Sequence, residues 1–368
     1  MSKTPKISII IPVYNQLQYT LNCLYSLMKE CANYEVEIIV INDNSTDNTL
    51  ETLENIPGIK IINNTTNQGF LKNINNGIKL SEGEFVLLLN NDVVVLPDMI
   101  KELFYVWENK TNVGAVGALS IHPSGVVMEA GSRLFSDGEA INIGRLASLE
   151  NPHYKYINKV DYCSGYCLLL KRYLPDGKLA QLDECFLPAY YEETDFCMQL
   201  RYLYNLDIYY QPFAKLIHFE SISYGQEKNS KKQILLDQNK QKFKNKWALQ
   251  LSKNHGLKFK KHKDFLNYRQ IENAYLYTQD VLQSDNLEFY INEQKLGKKI
   301  TILLKGKNFL TDNQIELLQR NEIEILYPYT TNKGKSRTFF KIFKRIIPGF
   351  QHLKTKNIIF KILHEILR

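Results

Sequence analysis

The sequence predicts an α/β fold built on a mostly parallel, doubly wound sheet. Three observations carry this reading. Strand-like and helix-like segments alternate through the first hundred residues, the strands are near-continuous apolar runs, and three of them end on clusters of amides and carboxylates. Apolar runs without alternation belong to strands buried on both faces, as in parallel sheets covered by helices. Such sheets bind ligands outside the carboxyl ends of their strands.

ISIIIPV (7–13) reads as the first strand, and LQYTLNCLYSLMKECA follows with Leu17, Leu21, Leu24, Met28 and Cys31 at helical spacing. VEIIVIND (36–43) predicts a second strand, STDNTLETLENI a short helix capped by Ser45 or Thr46, and IKIINN (59–64) a third strand. FLKNINNGIKLS gives a helix, EFVLLLN a fourth strand, and PDMIKELFYVWENK a helix with Pro97 in its first turn. From about residue 113 glycine-punctuated segments predict mixed or antiparallel strands, then a helix over about 192–205 and a strand ending near His218. Past about residue 250 the composition shifts to Lys, Asn and Gln. There, 298–328 predicts a small β-α-β unit without the glycine-rich turn of a cofactor site. The expected division is 1–252 for the sheet domain, 253–332 for an accessory region and 333–368 for a basic tail.

With 368 residues and 44% apolar content the chain can bury a core, which excludes a disordered protein. A net charge of +7 over this length does not mark a nucleic-acid binder. The six cysteines include no Cys-x2-Cys pair, and Cys163 and Cys167 have no nearby His, which argues against structural zinc. Several lie in apolar runs, as in a reducing cytosol. The apolar N-terminal run is too short for a signal peptide and no run approaches a membrane span, so the expectation is a cytoplasmic protein.

The strand ends Val13-Tyr14-Asn15, Asn42-Asp43-Asn44 and Asn90-Asn91-Asp92 should face one crevice. Asp43 is a fixed acceptor suited to the N–H of a pyrimidine base, or else an N-cap or Asx-turn residue. Asp92 can bridge Mg²⁺ or Mn²⁺ to substrate phosphates, because these ions take oxygen ligands and share one or two carboxylates with substrate. A structural turn is its competing role. In YYEETDFC, Glu192, Glu193 and Asp195 crowd the start of a helix, where free N–H groups and the dipole favour negative charge. Capping needs only one or two acids, and like charges this close raise one pKa toward that of a general base. His218 is a satisfied structural residue, or a metal ligand or phosphate contact if Asp92 is near.

Taken in order, these segments resemble the inverting family-2 glycosyltransferases of the GT-A fold, of the kind used in bacterial surface polysaccharide assembly. ISIIIPVYNQ resembles the family's opening strand, VINDNSTDNT its second nucleotide-binding strand, and NQGFLKNINNG (67–77) the segment beside base and ribose. The resemblance therefore implies nucleotide contacts from Pro12, Tyr14, Asn15 and Asp43, and from Asn67, Gly69, Lys72 and Asn91. LLLNNDVVV stands where the family has its Asp-x-Asp metal motif, with Asn90 replacing the first acid, so the resemblance implies a Mg²⁺ or Mn²⁺ ion on Asp92 with His218. DECFLPAYYEETDFCMQLR resembles the helix that carries the catalytic base. Glu193 stands at the base position in place of Asp, leaving Glu192 or Asp195 as alternatives. VDYCSGYCLLLKR resembles the strand lining the sugar pocket, with Ser164 and Gly165 approaching the donor, and KFKNKWAL the helix that often ends the domain. The middle at 125–145, GVVMEAGSRLFSDGEAINIGR, resembles enzymes that transfer deoxyhexoses, rhamnose among them. The implied reaction moves a sugar from a UDP- or dTDP-sugar to a hydroxyl of a glycan or lipid-linked acceptor, with inversion.

The tail 333–368 holds ten Lys/Arg against Glu365, interleaved with Phe and Ile. TFFKIFKRII and NIIFKILHEILR read as helices on an anionic membrane surface, as helices packed on the main domain, or as a homodimer contact. Their aromatics belong to one apolar face, which disfavours nucleic acid. Two other functions compete: a sugar nucleotidyltransferase, which would need a glycine-rich phosphate loop where this chain has PVYNQLQY, and a degenerate, non-catalytic sugar-binding subunit.

Overall fold

A computed structural model describes residues 7–32, 34–219, 230–254, 274–279, 284–304 and 310–326. Strands β1 (Ile7–Val13), β2 (Val36–Asn42), β3 (Ile59–Asn63) and β4 (Phe85–Leu89) lie parallel in the order β4-β1-β2-β3. Strand order reverses between β1 and β4, and a crevice forms at such a reversal. Beyond β4 the sheet is mixed, as the glycine-punctuated sequence predicts. β11 (Cys167–Lys171) runs antiparallel to β4, and β6 (Val113–Ile121) antiparallel to β11. β12 (Asp207–His218) runs parallel to β6, and β10 (Asn158–Val160) closes the edge. Two short strands leave this path: β5 (Val93–Val95) pairs with β12, and β7 (Val127–Glu129) with β6. β8 (Ser132–Leu134) and β9 (Ala140–Asn142) form a separate hairpin.

Both faces of the parallel strands are covered. Ile7, Ile9, Ile11 and Val13 pack in one cluster with residues of α1 (Leu17–Cys31) and α4 (Met99–Asn109). On the other face Ile10 meets α3 (Phe70–Leu80) at Gly77, where a Cβ would stand 2.4 Å from an Ile10 methyl. Only glycine admits the helix that close.

Three local expectations are corrected. The buried stripe of α1 is Thr20, Cys23, Leu24 and Leu27, with Met28 exposed. The helix is turned about its axis because its small polar groups serve the end of β4. Thr20 Oγ1 accepts from Asn91 Nδ2 at 3.0 Å and Cys23 Sγ donates to the Asn90 carbonyl. Helix α2 starts at Thr49, and neither Ser45 nor Thr46 caps it. Ser45 Oγ instead accepts the Asn15 N–H at 2.8 Å, and the Thr46 N–H donates to Asn15 Oδ1 at 2.7 Å. Pro97 precedes α4 rather than lying inside it, with Asp98 in the left-handed region at the helix start.

A parallel three-stranded sheet follows in the chain: β13 (Ala274–Gln279), β14 (Lys299–Leu304) and β15 (Glu324–Leu326), with helices α8 (Ser284–Lys295) and α9 (Asp312–Arg320). Its own core includes Leu287, Tyr290, Ile300, Ile302, Leu318 and Ile325. It belongs to one compact unit with the main sheet, a unit that runs to Pro328. The join is polar. Arg320 donates to both Glu102 oxygens, at 2.7 and 2.9 Å, and its guanidinium lies 4.5 Å and 4.4 Å from the ring centroids of Tyr105 and Phe213. Lys110 pairs with Glu322 at 3.0 Å and His153 Nδ1 lies 2.8 Å from Glu324. The tail expected to form surface helices lies outside the described residues.

Removing Arg320 leaves the Glu102 carboxylate inside protein without its cation. Arg320→Ala is expected to lower unfolding free energy by about 2–4 kcal/mol. Arg320→Lys recovers only a fraction, since an ammonium cannot match the two-oxygen fork. Urea denaturation midpoints decide this, and an unchanged midpoint in Arg320→Ala removes the pair as the main fastening.

Candidate active site

At the carboxyl ends of β1, β2 and β4 lies a cleft of about 490 Å³. It brings together Pro12, Tyr14, Asp43, Asn67, Gly69, Asn91, Asp92, Ser164, Gly165, Glu192, Glu193 and His218. All of these stand among the sequence-derived candidates, drawn from segments more than two hundred residues apart.

Asp43 is buried and organises the loop after β3. Its Oδ1 accepts from the Gln68 N–H at 2.7 Å and Asn64 Nδ2 at 2.8 Å, and its Oδ2 from the Gly69 N–H at 2.9 Å. A carboxylate offers about four acceptor sites, so Oδ2 keeps capacity for one donor from a ligand. Gly69 has φ +79°, and a Cβ there would meet Pro188 at 3.2 Å. Both the left-handed backbone and the close approach require glycine.

The apolar run after Asn90-Asn91-Asp92 has a structural reason. β5 pairs antiparallel with the end of β12, setting Val93 opposite His218. His218 Nε2 then lies 3.1 Å from Asp92 Oδ1, with the Tyr166 ring 4.6 Å from the imidazole. Both residues are buried, and among the described residues His218 Nδ1 has no hydrogen-bond partner. The described residues hold no cluster of three or more metal-ligating side chains. One carboxylate and one imidazole facing a cleft do fit a cation that completes its shell with substrate oxygens and water.

Helix α5 (Glu192–Tyr202) carries the acids. Glu192 is buried, its Oε2 has no partner among the described residues, and burial, then the Glu193 charge, raise its carboxyl well above the ordinary range. Glu193 keeps part of its surface open to the cleft while protein crowds its carboxyl. Burial pushes it up to about 7, with the negative Glu129 adding to the rise and N–H groups of the helix start opposing it. Of the pair, Glu192 is the neutral member and Glu193 the one that ionises near neutral pH.

Three candidates fall outside the cleft. Asp195 is fully buried and spent on structure, accepting from Trp247 Nε1 at 2.7 Å, Lys246 Nζ at 2.8 Å and Gln199 Nε2 at 2.7 Å. That removes it as a base. Asn15 ties the end of β1 to the loop after β2 through the bonds to Ser45 and Thr46 given above. Lys72 lines a neighbouring polar pocket with Asn64, Gln68, Asn76 and Lys79; Asn73 lines both. Other cleft residues escape sequence reading: Phe70, Asn73, Tyr166 and Lys232. Lys232 comes from α6 (Ser230–Lys246), a lysine-rich helix whose sequence gives no sign of which lysine faces inward. The entry to α5 is strained, with φ of 77° at Tyr190 and 72° at Tyr191. Asn239 Nδ2 braces it by donating to the carbonyls of Phe186, Ala189 and Tyr190.

Residues 8–177 match the family described as Glycosyl transferase family 2. The chain is 27% identical over 257 residues to the uncharacterized protein y4gI of Sinorhizobium fredii, covering 67% of this chain and 28% of that one. It is 27% identical over 250 residues to the poly(ribitol-phosphate) beta-N-acetylglucosaminyltransferase TarS of Staphylococcus aureus, covering 63% and 43%. The chain thus spans less than half the length of these curated relatives. The crystal structure of GalNAc-T7 with UDP, GalNAc and Mn²⁺ aligns with TM-score 0.53 at 13% identity, covering 72% of this chain and 50% of that one. That likeness is one of fold, the GT-A arrangement.

The split between acids is open to test. Asp195→Ala strips the buried Trp247 indole of its acceptor, leaves the exposed Lys246 only Asp183, and is expected to cost about 1–3 kcal/mol of stability. Glu193→Gln, at the cleft surface, should leave the melting temperature at or above that of the parent, because a raised carboxyl is a destabilised one. Calorimetric melts of the two variants read this, and equal losses would sink the division of roles.

Proposed function

We propose that this chain, whose residues 8–177 are a family-2 glycosyltransferase domain, is an inverting transferase. It moves a sugar from a nucleotide-diphosphate donor, UDP- or dTDP-linked and rhamnose-like in one reading, to a hydroxyl of a glycan or lipid-linked acceptor in surface polysaccharide assembly. The observation that carries the proposal is the meeting of Asp43, Asp92 and Glu193 around one cleft. The relatives' names favour a polymer acceptor.

In this reading the base imide N–H donates to Asp43 Oδ2, with Asn67, Gly69 and Tyr14 beside base and ribose. The diphosphate lies toward Asp92, His218 and Lys232, and Ser164 and Gly165 wall the sugar. Asp92 and His218 are the residues that would hold Mg²⁺ or Mn²⁺, whose charge would neutralise the diphosphate. Glu193 takes the proton of the acceptor hydroxyl as that oxygen bonds to the anomeric carbon and the carbon–phosphate-oxygen bond breaks on the opposite face. Displacement in line inverts the anomeric centre. An acceptor on a lipid would bring the enzyme to an anionic membrane surface, which the basic and apolar composition of 333–368 suits.

Two outcomes are expected. A base must be deprotonated, so with Glu193 raised to about 7 the rate rises with pH up to about 7 and levels above it. Glu193→Gln lowers kcat by roughly 10²–10⁴-fold and abolishes that limb while donor binding persists. Parental turnover in this variant would refute the base assignment. Asp92→Ala is expected to lose the extra thermal stabilisation that Mn²⁺ gives with UDP or dTDP over nucleotide alone. Retained Mn²⁺-dependent stabilisation would place the cation elsewhere. Incubation with labelled UDP- and dTDP-sugars tests the whole reading. Pyrophosphate exchange would point to a nucleotidyltransferase, and binding without transfer to a sugar-binding subunit, the reading that Asn90 favours.

A further inference from the structure

Glu129 is a buried acid that the mechanism above does not use. It ends β7, is 1% exposed, and stands in GVVMEAGS, a stretch read from sequence only for the class of sugar. A carboxylate removed from water is tolerated only when its oxygens are bonded. Here both are held by one residue. Oε1 accepts the Ser164 backbone N–H at 3.0 Å and Oε2 accepts the Ser164 hydroxyl at 2.6 Å. Burial raises the Glu129 carboxyl, and the two Ser164 donors, with lesser help from His218 and the Ser132 hydroxyl, oppose that rise.

The residue it holds is part of the cleft wall. Ser164 and Gly165 both line the cleft. A Cβ built on Gly165 would lie 3.4 Å from the Phe70 ring and 3.6 Å from the Glu193 Cβ, so the turn abuts the base on one side and the β3-α3 segment on the other. Among the described residues the Ser164 hydroxyl bonds only to Glu129, and the Ser164 carbonyl accepts the Cys167 N–H at 3.4 Å.

We propose that Glu129 is a positioning residue for the base: by gripping Ser164 through backbone and hydroxyl together, it fixes the Ser164–Gly165 turn as the wall against which Glu193 stands. Without the grip the wall relaxes, and with it the approach of the acceptor hydroxyl to Glu193. Misplacements near 1 Å at a reacting centre cost about 100-fold in rate. The nucleotide side of the cleft is held mainly by Asp43, whose own bonds go to Asn64, Gln68 and Gly69 rather than to Ser164. The inference rests on the assignment of Glu193 as base.

The test uses the full chain and four proteins: parent, Glu129→Gln, Glu129→Asp and Ser164→Ala. For each, kcat and acceptor KM are measured by transfer, and the Kd of UDP or dTDP with Mn²⁺ by calorimetry. Glu129→Gln swaps one acceptor oxygen for an amide that faces a donor. Its kcat is expected to fall by about 10- to 100-fold with nucleotide Kd within about two-fold of parental. Ser164→Ala keeps the backbone bond and loses less, about 3- to 10-fold. Glu129→Asp, which retains the charge, recovers part of the loss. Combining the Gln and Ala changes should cost less than the product of the two alone, as expected for partners in one contact. Parental kcat in Glu129→Gln overturns the proposal, and so does a loss of nucleotide affinity that matches the loss of kcat. If Glu129→Gln does not fold, Ser164→Ala decides on the same two readouts. A parent that neither binds nor transfers any nucleotide-sugar overturns the glycosyltransferase reading itself, a result distinct from a parent that works and a variant that works equally well.

Discussion

A strand buried on both faces cannot end on two amides and a carboxylate unless each polar group finds a partner. The end of β4 is where this chain meets that demand. The Asn90 N–H donates to the Tyr166 carbonyl at 3.0 Å, the Asn90 carbonyl accepts the Cys23 thiol, and the Asn91 amide donates to Thr20. The Asp92 carbonyl accepts the Phe219 N–H at 2.9 Å, and its carboxylate meets His218. An unmade bond at any of these buried groups costs about 1–3 kcal/mol. The partners come from α1, from the turn before β11 and from the end of β12, so this one turn fastens three elements at the mouth of the cleft. It also outranks the apolar stripe of α1, whose rotation presents Thr20 and Cys23 to it instead of Met28.

The same accounting separates the acids of α5. Asp195 meets three side-chain donors and has become part of the core, joining α5 to Lys246 and Trp247. Among the described residues Glu192 and Glu193 meet no side-chain donors, and burial outweighs the backbone N–H groups near them, leaving both carboxyls raised. The backbone that delivers them is itself strained, since two consecutive tyrosines take positive φ. Strain of that kind persists only where the surroundings over-determine it. Asn239, reaching three carbonyls from α6, is such a surrounding, as is the Tyr191 hydroxyl bonded to the Gly138 carbonyl at 3.1 Å. Raised acids and a braced, strained backbone thus occur together at the mouth of α5.

Much of this was legible in the sequence because it follows from period and position. Continuous apolar runs gave the parallel strands, and polar residues at their ends marked the cleft before any coordinates. What sequence reading misplaced depended on contacts across the fold. Asp195 and Glu193 are two residues apart on one helix, and only the arrival of Lys246 and Trp247 from a distant helix distinguishes them. Asn15 looked like a ligand contact but holds the loop of Ser45 and Thr46. Glu129 looked like a marker of sugar type, and its grip on Ser164 arises only from the pairing of β7 with β6 and of β6 with β11. Lys232 was hidden among the lysines of a helix whose inward face no period reveals.

The cleft is strongly acidic for a site meant to hold a diphosphate. Asp43, Asp92, Glu192 and Glu193 line it, and Lys232 is the one Lys or Arg among its described lining residues. Two like charges 4 Å apart in a partly wet site repel by about 4 kcal/mol at an effective dielectric near 20. Lys232 alone cannot offset a dianion against several carboxylates. The balance improves in two ways open to these residues. Glu192 and, below about pH 7, Glu193 hold protons, and the Asp92–His218 pair would present oxygen and nitrogen to the cation of the proposed reading. Under the proposed role of Glu193 as base, donor entry would be favoured while it is neutral and proton abstraction would need it charged. A carboxyl raised to about 7 would then stand between these demands, since a fully acidic one would repel the donor and a fully neutral one could not take the proton. Burial sets most of that rise at Glu193, and the Glu129 charge adds to it, while the bonds of Glu129 to Ser164 hold the turn that Glu193 adjoins.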